Sequence, residues 1–259
     1  MPKFAANLSM LFTEVPFLDR FAAAAAAGFQ AVEYMFPYDY QPQDLVKRLQ
    51  ANKLQQVLHN MPPGNWAAGE RGIACLPDRT GEFQDGVGRA LEYAKALRCP
   101  RLNCMSGLKP ESLSFAKAEE TIVASLKFAA QECAKVGVTL VIEAINTFDM
   151  PGFFVSNTKH AMAVLDAVGS PNLLFQYDIY HMQRMEGELA ATLRAQMPRI
   201  GHIQLADNPG RHEPGTGEIN YAYLLPLLDM LGYTGWVGCE YKPATTTVAG
   251  LGWMATYRA

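Results

Sequence analysis

The sequence predicts an α/β fold, a TIM (β/α)8 barrel. Three observations carry that prediction. Eight short β-rich runs alternate with seven helix-periodic segments, no linker interrupts the alternation, and 259 residues suit one such barrel at its usual length of about 250. A doubly wound sheet is the rival. Its glycine fingerprint is approached only at Gly86-Val-Gly-Arg-Ala-Leu91, which lacks the third glycine and follows Gln84-Asp85 instead of a strand. Residues 1–259 are therefore read as a single barrel domain.

The elements follow in order. A strand is expected at 4–8, then an alanine-rich helix at 17–27 that stops at Gly28. The second strand, 31–34, leads to a helix at 44–51, and the third is expected at 54–59. A polar, glycine-rich stretch from His59 to Gly72 precedes the helix at 86–97 and is too long for a plain connection. Strand 101–105 is followed by helix 118–136, and strand 139–143 by helix 158–168, which ends at Gly169. The sixth strand, 173–178, is read as running on through Ile179 and Tyr180 to His181, before a helix at 189–196. Strand 200–205, helix 221–231 and strand 235–240 complete the series.

Composition excludes several classes of function. With 22 Lys and Arg against 25 Asp and Glu, a net charge of −3 and no basic block, nothing matches the footprint that phosphate-backbone binding needs, so no nucleic-acid partner is expected. The most apolar early stretch, residues 21–28, falls far short of the roughly 18 to 20 residues of a membrane span, and residues 1–10 lack a signal-peptide core, so no membrane role is expected. Five scattered cysteines, odd in number and without paired spacing, read as reduced thiols of a cytoplasmic chain and disfavour structural zinc. No Gly-x-Ser-x-Gly elbow, His-Glu-x-x-His helix or Walker loop is present.

In such a barrel the active site lies at the carboxyl ends of the strands. Each of the last four strands ends in or near an oxygen donor: Glu143, Asp178, Gln204 and Glu240. One alone reads equally well as a solvated strand end, whereas four in succession suggest convergence. Three carboxylates and an amide oxygen form a hard set suited to Mg²⁺ or Mn²⁺, and the cation would offset the mutual repulsion that opposes their ionisation. The candidates for holding a substrate are His59, Arg71, His181 and Arg211. His181 could donate to a substrate oxygen or simply pack. The loop after Gln204, with Asp207, Asn208, Arg211, His212 and Glu213, would lie where substrate approaches. The 59–72 loop reads as a lid in which Arg71 grips a carboxylate and Trp66 excludes water, or as a surface loop.

Extended blocks of the sequence carry a resemblance. Asn7-Leu-Ser-Met-Leu-Phe, Phe36-Pro-Tyr-Asp-Tyr, His59-Asn together with Trp66-Ala-Ala-Gly-Glu-Arg-Gly-Ile-Ala, Gln176-Tyr-Asp-Ile-Tyr-His-Met-Gln, Ala206-Asp-Asn-Pro, Glu213-Pro-Gly-Thr-Gly-Glu-Ile-Asn-Tyr and Gly238-Cys-Glu-Tyr-Lys-Pro resemble the hydroxypyruvate isomerases over nearly the whole chain. The resemblance implies a xylose-isomerase-like TIM barrel. It further implies interconversion of hydroxypyruvate and 2-hydroxy-3-oxopropanoate (tartronate semialdehyde), an aldose-ketose type of reaction within glyoxylate metabolism. By it, Glu143 and Glu240 are the catalytic pair, and Glu143, Asp178, Gln204 and Glu240 hold the metal. The partner would then be a small 2-oxo or hydroxy acid, with room left for a homo-oligomer. The same machinery would serve a 2-oxo-tetronate isomerase or a ketose 3-epimerase. Two positions depart from the pattern: Ala144 stands where Pro is expected, and Gln204 where related ketose epimerases place His.

Overall fold

The computed structural model describes residues 1–257. Eight parallel strands close a barrel in the order β1-β2-β3-β4-β5-β6-β7-β8. They are β1 Lys3–Asn7, β2 Ala31–Tyr34, β3 Gln55–Asn60, β4 Arg101–Cys104, β5 Thr139–Glu143, β6 Leu173–Asp178, β7 Ile200–Leu205 and β8 Trp236–Cys239. Side chains alternate along each strand, so every strand contributes one row to the barrel interior and one to the helices outside. The interior is graded. At the amino ends of the strands Ala5, Ala31, Val57, Leu58 and Val141 form a closed apolar plug. Towards the carboxyl ends that plug gives way to buried Asn7, Glu33, Asn103, Glu143, Gln176, Asp178 and Gln204.

The helices are α1 Arg20–Ala26, α2 Pro42–Ala51, α3 Thr80–Leu97, α4 Phe115–Lys135, α5 Thr158–Val168, α6 Ile179–Met185, α7 Leu189–Gln196 and α8 Tyr221–Met230. Their buried residues recur at helical spacing: in α3, Phe83, Val87, Ala90, Ala94 and Leu97 face the sheet. Caps set several starts. Ser114 accepts from the Lys117 N–H at the start of α4, Asn157 from His160 at α5, and Asn220 from Tyr223 at α8.

Two expectations are corrected. The helix read at 86–97 begins earlier, at Thr80, because Gly81 and Gly86 are tolerated within a helix held by its buried face. More consequentially, the sixth strand does not continue to His181. It stops at Asp178, whose side chain accepts from the backbone N–H groups of Tyr180 and His181 and so caps α6. This helix of seven residues follows the strand without a connecting residue, so neither a loop nor a sustained helical period marks it in the sequence.

Candidate active site

Glu143, Asp178 and Glu240 reach one cleft from the ends of β5, β6 and β8. Glu143 is held on one side, its Oε2 accepting from Asn103 Nδ2 at 2.9 Å. Its Oε1 lies 3.9 Å from His181 Nε2. Asp178 spends Oδ1 on the α6 cap, at 2.8 Å from the Tyr180 nitrogen, and leaves Oδ2 buried without a hydrogen-bond partner. Glu240 is held on both oxygens: Oε1 accepts from Arg211 Nη2 at 2.8 Å, and Oε2 from Asn7 Nδ2 at 2.8 Å and Gln204 Nε2 at 2.5 Å.

Arg211 arrives from the loop after β7. Its backbone adopts a left-handed conformation, φ 55°, and its carbonyl accepts from the Lys242 N–H at 2.8 Å, which ties the loop to the chain beyond β8. The guanidinium lies over the Tyr180 ring at 5.0 Å, with Nη2 3.9 Å from Asp178 Oδ2. Burial works against its charge, but Glu240, Asp178 and Glu143 more than offset that and favour the cation.

The carboxyls themselves are pushed towards their neutral forms. Burial, then Glu240 and Asp178, raise Glu143 well above the ordinary range. Burial raises Asp178 to about 6 and Glu240 to about 8, with Arg211 opposing both shifts. A divalent cation would reverse this balance, because it stabilises the ionised oxygens directly. The residues fit one. Glu143 and Asp178 each bring an oxygen to within 4.8 Å of the other and of a His181 ring nitrogen, and Asp178 Oδ2 accepts no hydrogen bond, with His181 Nε2 3.6 Å and Arg211 Nη2 3.9 Å away.

His181 is neutral and directed. Burial, then Arg211 and Arg184, push its imidazole well below the usual range. Asn146 fixes its tautomer. The Asn146 Oδ1 accepts from the Phe148 and Asp149 backbone, so its amide cannot turn over without losing both bonds, and Nδ2 donates to Asp149 and faces His181 Nδ1 at 2.6 Å. Two Asn146 donors, Nδ2 and the backbone N–H at 3.5 Å, make Nδ1 the acceptor against a single Arg211 donor 3.4 Å from Nε2, which puts the ring proton on Nε2, the atom facing Glu143 and Asp178.

The other predicted residues divide. Gln204 reaches the cleft but presents its nitrogen to Glu240, while its Oε1 accepts from Gln176 Nε2 at 2.7 Å. Arg71 lies in the loop after β3, 3.9 Å over the Trp66 ring, and donates to the Trp66 and Glu70 carbonyls. Trp66 in turn packs on Phe36 at 5.0 Å, beside an apolar group of Met105, Ile145 and Phe153. Arg71 forms no ion pair among the described residues. The loop's return is fixed at Gly72, where φ is +99° and any Cβ would strike the Met105 carbonyl.

His59 is a correction. In β3 it pairs with Leu102 while its neighbour Asn60 pairs with Asn103, whose side chain bonds Glu143 inside the barrel. His59 thus faces the opposite side, towards the helices, 6.3 Å from the Tyr38 ring. It is completely buried, and that burial lowers its pKa to about 4. It does not reach the cleft. Asp207 and Glu213 shape the loop that carries Arg211: Asp207 accepts from the backbone of Asn208, Gly215, Gly217 and Ile219, and Glu213 from that of Ala244.

The family described as xylose isomerase-like TIM barrel matches residues 21–257. The chain belongs to that family. It is 55% identical to the hydroxypyruvate isomerase of Escherichia coli K12, with all of both chains covered. It is 51% identical to a 2-oxo-tetronate isomerase of Cupriavidus necator, with 99% of each covered. A crystal structure titled AP endonuclease, family 2, from Brucella melitensis superimposes with a TM-score of 0.98 at 47% identity over the full length of both chains. An L-ribulose 3-epimerase, at 19% identity and a TM-score of 0.77, shares the fold.

Within this xylose isomerase-like barrel, four polar residues were missed from the sequence: Asn7, Glu33, Asn103 and Asn146. The first three lie at or near the ends of β1, β2 and β4. The rule that found Glu143, Asp178, Gln204 and Glu240 also applies to them, and Glu33 in Ala31-Val-Glu-Tyr34 is a strand-end carboxylate like the others. Asn146 has no such signal, because only the fold brings it to His181.

Proposed function

We propose that the protein is an isomerase that moves a carbonyl between adjacent carbons of a small 2-oxo or hydroxy acid, interconverting hydroxypyruvate and 2-hydroxy-3-oxopropanoate. The observation that carries this is the approach of Glu143 and Glu240 to one buried cleft from strands separated by β6 and β7. Full-length identity to a hydroxypyruvate isomerase supports the choice of substrate.

The reaction needs a proton taken from C3 of hydroxypyruvate and one delivered to C2, through an enediolate. One glutamate takes the first proton and the other supplies the second from the opposite side. Glu240, in contact with Arg211, is the better placed to ionise and act as base. Glu143, with one side-chain donor on Oε2 and Oε1 open towards His181, has an oxygen free to pass on the second proton. His181 Nε2 gives its proton to the C2 oxygen as charge develops there and recovers one from the C3 hydroxyl, which leaves the C2 hydroxyl and the C3 aldehyde of the product. Arg71 grips the carboxylate when the loop closes, and Trp66 keeps water out.

A divalent metal, Mg²⁺ or Mn²⁺, would be held by Glu143, Asp178 and Glu240, while Gln204 keeps its oxygen on Gln176 and serves the set as a donor to Glu240. When bound, such an ion stabilises negative charge on the substrate oxygens. Five buried free cysteines support a reducing, cytoplasmic setting. No helix among the described residues is long and apolar enough to cross a membrane.

Isomerisation of the four-carbon 2-oxo-tetronate is the second reading, favoured by the relative at 51% identity that bears this name. Proton NMR of the purified protein with each acid, with and without added Mg²⁺, tests both. Turnover of hydroxypyruvate at the higher kcat/KM is expected. Preference for the four-carbon acid would transfer the assignment, and no turnover of either would refute it.

A further inference from the structure

Beneath the cleft, Glu33 on β2 joins three side chains that the proposed chemistry has not used together. It is completely buried. Its Oε1 accepts from Asn7 Nδ2 at 3.0 Å and Gln204 Nε2 at 2.7 Å, and its Oε2 lies 2.7 Å from His202 Nε2. Asn7 and Gln204 are the same two residues whose amide nitrogens hold Oε2 of Glu240. Each amide therefore bridges two carboxyl groups, Glu33 below and Glu240 above.

We infer that Glu33 is a positioning residue for Glu240, acting through the amides of Asn7 and Gln204. The argument is one of hydrogen-bond polarity. Turned end for end, the Gln204 amide would set its oxygen against the Glu33 and Glu240 oxygens and its nitrogen against the Gln176 Nε2 donor, so acceptor would meet acceptor and donor would meet donor. Glu33 is the fully buried acceptor among the contacts that fix this orientation. Without it, each amide nitrogen loses one of its two carboxyl acceptors, and the donors that set Glu240 Oε2 are held less firmly.

A second observation on another strand supports a site built around this carboxyl. Gly238 of β8 lies two residues before Glu240, and a Cβ there would collide with both oxygens of Glu33. Its φ is not in the left-handed region that requires glycine, so the missing side chain serves to admit Glu33.

This inference rests on Glu240 being a proton-transfer group, and the test separates the two. Steady-state kinetics with hydroxypyruvate would be measured for Glu33→Ala, Gln204→Ala, their double variant, Glu33→Gln and Glu240→Gln. Glu33→Ala is expected to lower kcat by about 10- to 100-fold with KM within about threefold, since the substrate is not touched. The double variant should fall no further than the worse single one, because both changes break one chain of contacts. Glu33→Gln keeps an acceptor for the two amides and should recover most of kcat. A readout independent of turnover is the exchange of the Gln204 side-chain NH2 with solvent in 15N-edited spectra, assigned by its loss in Gln204→Glu. The exchange should be slow in the wild type and fast in Glu33→Ala. If Glu33→Ala fails to fold, Gly238→Ala, which displaces the carboxyl without removing it, should show the same loss of kcat and faster exchange. Additive losses, or a wild-type kcat in Glu33→Ala or Gly238→Ala while Glu240→Gln is inactive, would overturn the inference. Full activity of Glu240→Gln would instead overturn the reading beneath it.

Discussion

Glu143 and Glu240 enter the same cleft with different surroundings. Glu143 has one side-chain donor, Asn103, and leaves Oε1 open towards His181. Glu240 has three, two amides on one oxygen and a guanidinium on the other. Burial raises both: Glu240, the one with a cation in hydrogen-bond contact, to about 8, and Glu143 well above its ordinary value, with Glu240 and Asp178 adding to burial. The asymmetry of donors gives the two glutamates different holds on a proton from within one cleft.

The strongest way to break this comparison is to remove each carboxyl in turn. Glu143→Gln and Glu240→Gln should each lower kcat by roughly 10²- to 10⁴-fold, the range for lost acid–base catalysis. Near-wild-type rates in both variants would end the two-glutamate account. Arg211→Ala comes next. It leaves Glu240 and Asp178 without their cation, and unfolding by denaturant should show a loss of about 3 to 5 kcal/mol, as for a broken buried pair. A loss under about 1 kcal/mol would mean the cleft neutralises itself by taking up protons.

These residues also mark how far the sequence could be read. The strands were legible because short β-rich runs, such as the apolar Leu140-Val-Ile142 of β5, recur between turns and helical stretches, and Glu143, Asp178 and Gln204 stood out at or next to the ends of β5, β6 and β7. Arg211 and His181 were legible as candidates. Their roles depend on contacts across 29 and 35 residues, to Glu240 and Asn146, which no local pattern encodes. His59 was misread for a definite reason. Its strand bulges, with register shifting opposite Val32 and Glu33, so proximity to the strand end did not fix which face it takes. Helix α6 escaped because Asp178 is both strand end and cap.

A smaller effect is expected at the lid. Arg71 stacks on Trp66 without a carboxylate partner among the described residues, in contrast to Arg211. Arg71→Ala should raise KM for hydroxypyruvate by an amount equivalent to about 1.5 to 3 kcal/mol, with kcat changed less. An unchanged KM would move carboxylate recognition to Arg211 or Lys242.

The smallest effect is the pH dependence of stability. Asp178 at about 6 and Glu240 at about 8 hold protons in the folded state that the unfolded chain, with ordinary values of 3.8 and 4.5, has already released. Their contribution to stability is therefore fully present below about pH 4 and is lost as pH rises through 6 and then 8. Thermal melts of the metal-free protein should show that contribution as a Tm falling between pH 5 and 8, and Glu240→Gln should flatten the slope. Added Mg²⁺ should stabilise more at pH 8 than at pH 5, because its ligands must lose their protons to bind it.

The central claim is that one glutamate removes a proton and a different one supplies another. The proton supplied must then come from a carboxylic acid that has exchanged with solvent, and not from the substrate's own carbon. Conversion of hydroxypyruvate by the wild-type protein in deuterated water, followed by proton NMR from the first turnovers, tests this directly. The account predicts deuterium at C2 of the 2-hydroxy-3-oxopropanoate formed. Product carrying only the original hydrogen at that carbon would contradict it and point to transfer by a single shielded base or to a hydride shift.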